Sequence, residues 1–132
     1  MINYGKYPLL GLNISAVDYE YVVSKIVEAS QEQKPLAISA LAVHGVMTGY
    51  LDDVQRRRLN GLDLILPDGQ PVRWGLNLKH RLRLLDRVYG PELMLRVVKV
   101  AADKKIPIYL YGSTEKTIDL LKNNLQRKFA SL

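Results

Sequence analysis

Asp68 is the first residue whose setting suits chemistry. It closes Leu62-Asp63-Leu64-Ile65-Leu66-Pro67-Asp68-Gly69, where an apolar run meets a Pro-Asp-Gly corner. A buried strand ending there leaves one carboxylate at the carboxyl edge of a sheet, where open α/β sheets take their ligands. A general base must reach a hydroxyl and stay ionised until it takes the proton, and a carboxylate on such a corner has that exposure. The same tripeptide also serves as a plain turn, since Asp and Gly are favoured there for backbone reasons alone. The residues by themselves leave both readings open.

Arg87 is the second candidate, in Asp86-Arg87-Val88-Tyr89-Gly90-Pro91 ahead of an expected helix start. A guanidinium beside free helix amides suits a phosphate; the alternative is a surface pair with Asp86 or a solvated arginine. Tyr111-Gly112-Ser113-Thr114 is a strand-to-helix turn that can accept a nucleotide phosphate or ribose. It is neither a G-x-G-x-x-G fingerprint nor a P-loop, and Ser113 or Thr114 can equally be an ordinary N-cap. His44, followed by Gly45, could share the edge with Asp68 and donate to a substrate oxygen, or be a satisfied structural residue.

Other polar residues point less clearly to chemistry. The chain has no cysteine, which excludes disulfides, thiolate catalysis and cysteine-ligated zinc. His44 and His80 are far apart and make no helical metal pair, and Asp52-Asp53 point in different directions on a helix. No metal or cofactor is expected. Arg56, Arg57 and Arg58 read as a solvated face. With Arg73, Lys79, His80, Arg81 and Arg83 they could instead make a basic membrane-facing patch. Trp74 and Leu76 could anchor it, although core packing is the expectation for Trp74.

These residues need elements to position them. Leu9 to Ile14 reads as a short strand and Asp18 as the N-cap of a helix to about Gln33, ended by Pro35. Leu36 to Val43 fits a fully buried strand, with a helix from about Val46. Asp52 and Asp53 can cap the next helix, Gly61 stops it, and the strand Leu62–Leu66 follows. Pro71 opens a short helix through Leu76, and Lys79 to Arg83 is a basic connector. Gly90-Pro91 opens another helix, Pro107 to Tyr111 reads as a strand, and the last helix carries Ile118, Leu121, Leu125 and Phe129 on one stripe. Alternating strands and helices predict an α/β fold: a Rossmann-like, open, mostly parallel sheet with helices on both faces and right-handed crossovers.

Composition sets the outer limits. The chain has 132 residues, 48% of them hydrophobic, which fits one folded domain rather than a disordered chain. No run reaches the ~18 apolar residues of a membrane span, and no signal-peptide pattern opens the chain. Nineteen Lys and Arg against 13 acids give +6, which suits an anionic partner or simply a basic solvated surface. No helix-turn-helix or aromatic-basic interleaving supports nucleic-acid binding.

Four segments together resemble the WecB/TagA/CpsF glycosyltransferases, family 26 of that class. They are Ala42-Val43-His44-Gly45-Val46-Met47, Leu59 to Val72, Asp86-Arg87-Val88-Tyr89-Gly90-Pro91-Glu92-Leu93-Met94, and Ile108-Tyr109-Leu110-Tyr111-Gly112-Ser113. The resemblance runs from about Leu9 to Leu132. It implies an inverting hexosyltransferase that moves N-acetylmannosamine, or a related sugar, from a UDP-sugar donor. The implied acceptor is N-acetylglucosamine on a polyprenyl diphosphate, in the synthesis of wall teichoic acid or another surface polysaccharide. In that reading Asp68 is the base and Arg87 neutralises the departing diphosphate. His44, Gly69, Gln70, Tyr89, Gly90, Gly112 and Ser113 are implied to contact substrate.

The resemblance further implies a cytoplasmic enzyme, peripheral at the inner face of the membrane. Many relatives carry Thr-x-Asn where this chain has Ala40-Leu41-Ala42. Relatives usually continue into a second half, so residues 1–132 are expected to be a single α/β domain, the amino-terminal half of a longer one. The expected partners are the donor, the lipid-linked acceptor and an anionic membrane surface, with a homo-oligomer or pairing with a carboxyl-terminal half as further options. The alternative function is a non-catalytic nucleotide- or partner-binding remnant.

Overall fold

The segment expected to be the first strand is interrupted by a turn. In the computed structural model, which describes residues 1–132, Leu10 and Gly11 both lie at positive φ, 50° and 83°. That is the backbone a two-residue hairpin turn requires. The chain therefore makes two strands, β1 (Asn3–Leu9) and β2 (Leu12–Val17), paired antiparallel with Leu9 opposite Leu12. Asn60 fastens the turn: its side chain accepts from Asn13 N and donates to the Gly11 carbonyl, both at 2.9 Å.

Helix α1 (Tyr19–Gln31) starts where expected, because the Asp18 carboxylate accepts from Tyr21 N at 2.9 Å. The same side chain accepts from Ile2 N at 2.7 Å and so ties α1 to the start of β1. Strand β3 (Ile38–Leu41) is shorter than the apolar run predicted, and α2 (Val43–Leu51) begins earlier than Val46. Asp52 then caps α3 (Asp53–Asn60), accepting from Val54 N at 2.7 Å and Gln55 N at 3.1 Å, and Gly61 ends that helix.

Strand β4 (Leu64–Pro67) lies parallel to β3, with Leu41 opposite Pro67. The fold is mixed α/β, with one antiparallel and one parallel pair of strands, six helices and the α2–α3 connection between the parallel strands. The buried hydroxyl of Ser15 on β2 accepts from Ile65 N on β4 at 3.3 Å, which brings the hairpin beside the parallel pair. Leu12, Ile14, Ala16, Leu41, Val46, Ile65, Val72, Leu76 and Leu84 share the core.

Helix α4 (Gln70–His80) runs past Leu76, and Lys79 and His80 form its last turn rather than a connector. Arg81 ends it at positive φ, 54°. Helix α5 (Gly90–Lys104) and helix α6 (Glu115–Lys128) follow. Pro107 to Tyr111 forms no strand. Its apolar composition favours extended backbone, but a strand also needs a neighbour for its N–H and C=O groups, and Pro107 has no N–H to give. By internal contacts the chain forms two compact units, Met1–Leu93 and Met94–Leu132.

Candidate active site

The pairing of Leu41 with Pro67 ends both parallel strands at one edge, so Ala42 and Asp68 emerge side by side. The amide of Asp68 donates to the Leu41 carbonyl at 3.3 Å and to Leu66 at 3.0 Å, which turns the chain sharply out of the sheet. Two helices start at this edge, α2 after Ala42 and α4 after Gly69, and neither has a side-chain cap. Their first amides lack intrahelical acceptors and carry the positive end of the helix dipole. A Cβ on Gly69 would lie 3.8 Å from Ala42 Cα and from Val43 N, so this glycine sits against the start of α2. His44 is in the first turn of α2, with its side chain exposed.

A third helix start closes on the same carboxylate. Gly90, which opens α5, donates its amide to Asp68 Oδ2 at 3.3 Å. The approach is held by the preceding segment, whose Val88 amide bonds the Pro67 carbonyl at 2.9 Å and whose Val88 side chain is fully buried. Asp68 itself is half-buried. Asp68, Gly69 and Gly90 are thus brought together at the carboxyl edge; the Pro-Asp-Gly corner predicts the position of Asp68, and the approach of Gly90 comes from the fold.

Arg87 and Tyr89 flank Val88. The guanidinium carbon of Arg87 lies 4.5 Å from the centroid of the Tyr89 ring, a cation–π stack. The Tyr89 amide donates to the hydroxyl of Tyr19 on α1 at 2.8 Å. Asp86 makes no ion pair with Arg87. Its Oδ1 accepts from the Arg87 amide at 2.7 Å and from Gln70 Nε2 at 3.0 Å. Gln70 therefore acts as a brace between α4 and the arginine-bearing segment, while its own Oε1 is buried without a partner.

That brace is one of a row. Gln70, Arg73 and Asn77 follow the i, i+3, i+7 spacing of a single helix face, and all three hold the segment 84–87. Arg73 Nη1 donates to the carbonyls of Leu84 at 3.1 Å and Leu85 at 2.6 Å. Asn77 bonds both backbone groups of Leu84, donating to its carbonyl and accepting from its amide, each at 2.9 Å. Sequence reasoning does not single out Asn77, considers Asp86 only as a surface partner of Arg87, and offers Arg73 as part of a basic surface patch. The row spacing of polar residues on α4 was the available signal. Nothing in the sequence marks Tyr19.

Two further expectations change. Trp74 is exposed, not in the core, and Leu76 is fully buried, so Leu76 cannot anchor a surface patch. His80 is also committed: its Nε2 lies 2.8 Å from the Pro8 carbonyl and its ring 5.0 Å from that of Tyr7.

In the second unit, Gly112 and Ser113 both adopt positive φ, 114° and 60°, and are exposed. They form the turn into α6, whose N-cap is Thr114 rather than Ser113; its hydroxyl accepts from Thr117 N at 3.3 Å. A cleft of about 500 Å³ in this unit lies between the 106–110 segment and α6, lined mainly by apolar side chains such as Ile106, Ile108, Ile118 and Leu125. There is no cluster of three or more His, Asp or Glu side chains. No helix is long and apolar enough to cross a membrane.

Comparison with known families assigns the class: the chain is a glycosyltransferase. The family model described as Glycosyl transferase WecG/TagA/CpsF family matches residues 7–132, and the chain belongs to that family. A search among curated proteins finds no match.

Proposed function

We propose that the protein transfers N-acetylmannosamine, or a closely related sugar, from a UDP donor to N-acetylglucosamine on a polyprenyl diphosphate. The reaction inverts the anomeric centre and belongs to the synthesis of teichoic acid or another cell-surface polysaccharide, at the cytoplasmic face of the membrane. Asp68 takes the proton from the acceptor hydroxyl as that oxygen bonds the sugar C1. The bond from C1 to the diphosphate oxygen breaks, and UDP leaves with the electron pair. Arg87 and the open helix amides offset the charge that develops on the diphosphate. His44, Gly69, Gln70, Tyr89 and Gly90 shape the substrate site.

The observation that carries the reading is the position of Asp68. Its carboxylate stands at the carboxyl edge of a parallel strand pair, between helix starts that have no side-chain caps, and one oxygen is held by the Gly90 amide. That combination gives a base and a cationic electrostatic field in one place, as displacement of a diphosphate requires.

The test is transfer from UDP-N-acetylmannosamine to a lipid-linked N-acetylglucosamine acceptor, with UDP affinity followed by calorimetry. Asp68→Asn is expected to cut turnover at least ~100-fold, the scale of a lost general base, with UDP affinity nearly unchanged. Normal turnover in that variant removes Asp68 from the mechanism. UDP binding with no transfer by the native chain would make it a binding module.

A further inference from the structure

We propose that the outward face of α4 and the segment after it dock on an anionic lipid bilayer, with Trp74, Leu78 and Leu85 entering the interface. The inference rests on the proposed membrane location and names the surface that would meet the membrane.

Three large apolar side chains stand in water here. Trp74 is 57% exposed, Leu78 87% and Leu85 81%. Trp74 and Leu78 are four residues apart and share one face of α4, opposite the buried Val72 and Leu76. Leu85 is on the segment 82–85, which runs back along the Arg73 and Asn77 side of the same helix. The Leu82 amide bonds the Asn77 carbonyl, and Arg73 holds the carbonyls of Leu84 and Leu85. Leu84 enters the core, so the next side chain turns outward.

Charge selects the partner. Between Asp68 and Asp86 the chain has no carboxylate at all. Lys79, Arg81 and Arg83 are exposed and take part in no ion pair. Asp68 is half-buried at the strand edge, so the three cations face one exposed carboxylate, Asp86, which accepts from Gln70. An apolar tip edged by unpaired cations fits a surface that is oily within and negative at its headgroups. Tryptophan is favoured at that boundary, where its ring is buried and its N–H stays wet. The docked segment leads directly into Arg87, so bilayer contact is mechanically continuous with the proposed site.

Trp74 is the only tryptophan in the chain, so its fluorescence reports on this face alone. The whole chain is titrated with vesicles of phosphatidylglycerol and phosphatidylcholine, with pure phosphatidylcholine vesicles, and with vesicles containing brominated acyl chains. Anionic vesicles are expected to shift Trp74 emission to the blue, and brominated chains to quench it. Each Lys or Arg near an anionic surface changes partitioning by roughly fivefold. The triple change K79E/R81E/R83E is therefore expected to weaken binding by roughly 100-fold or more. Leu78→Ser with Leu85→Ser should reduce quenching while the circular dichroism spectrum stays native.

No blue shift with anionic vesicles overturns the proposal. So does an equal shift with neutral vesicles, or binding that survives charge reversal. A blue shift that grows with protein concentration in the absence of lipid would instead assign the face to a second copy of the chain. None of these readings depends on sugar transfer, so inactivity of the proposed reaction leaves the test intact.

Discussion

The Gly90 amide reaches the Oδ2 oxygen of Asp68 at 3.3 Å and joins the end of β4 to the start of α5. One carboxylate oxygen is thereby fixed while the side chain remains half-buried. This separates a structural role from a chemical one. Asn at position 68 can still accept from Gly90 through its carbonyl oxygen, so Asp68→Asn should change unfolding free energy by less than about 1 kcal/mol. Asp68→Ala removes the acceptor and leaves a partly buried N–H unpaired, which costs about 1–3 kcal/mol. Urea unfolding of both variants checks the difference. Equal loss in the two would mean that the carboxylate charge itself holds the fold.

Asn77 bonds both the amide and the carbonyl of Leu84, as a neighbouring strand would. Asn77→Ala should therefore loosen the segment that carries Arg87, with a stability cost of about 1–3 kcal/mol. If that segment positions Arg87, kcat should fall while the KM for the acceptor changes little. Gln70→Glu tests the same bracing at its other end. It sets a second carboxylate against Asp86, whose Oδ1 now lies 3.0 Å from Gln70 Nε2. Its turnover should improve with salt, which screens the repulsion. A salt-independent defect would contradict this account.

Gly45 lets α2 pack close to β3. A Cβ there would come within 2.8 Å of Leu41 Cγ, and Leu41 is a core residue whose carbonyl accepts from Asp68 N. Exchanging Gly for Ala inside a helix normally stabilises by about 1 kcal/mol, but overpacking a tight core costs about 1–3 kcal/mol. At Gly45 the crowding should win, giving net destabilisation in a urea titration. Gly75→Ala meets Leu9 Cδ1 at a looser 3.2 Å and should come out nearer to neutral.

Local signals in the sequence were readable where one side chain settles a backbone end. Asp18 and Asp52 cap helices with oxygens that the backbone amides need, and the Pro-Asp-Gly corner places Asp68 at a strand end. Signals that depend on distant partners were not readable. Leu10 in a left-handed turn lacks the Asn-Gly or Asp-Gly signature, so the hairpin looked like one strand. Pro107–Tyr111 has strand composition but makes no ladder. Trp74 resembled a core residue because size and hydrophobicity say nothing about which helix face it occupies, and that depends on the packing of Val72 and Leu76. The bracing by Gln70, Arg73 and Asn77 joins side chains to backbone groups whose positions exist only after folding.

Arg87 stacked on Tyr89 gives the last test. A guanidinium over an aromatic face is held in a fixed plane, worth about 0.5–1 kcal/mol at an exposed site. Planarity matters because two parallel N–H groups can meet a diphosphate at once, which an ammonium cannot do. Arg87→Lys keeps the charge but loses both the fork and most of the stack, so turnover should fall nearly as far as in Arg87→Ala. Tyr89→Phe keeps the aromatic face and should be close to native. Tyr89→Leu should lower turnover about threefold, the rate equivalent of that stacking energy. Single-turnover rates with saturating UDP-sugar would measure all four. Native activity in Arg87→Lys would reduce the residue to a point charge and leave the stack with Tyr89 without catalytic meaning.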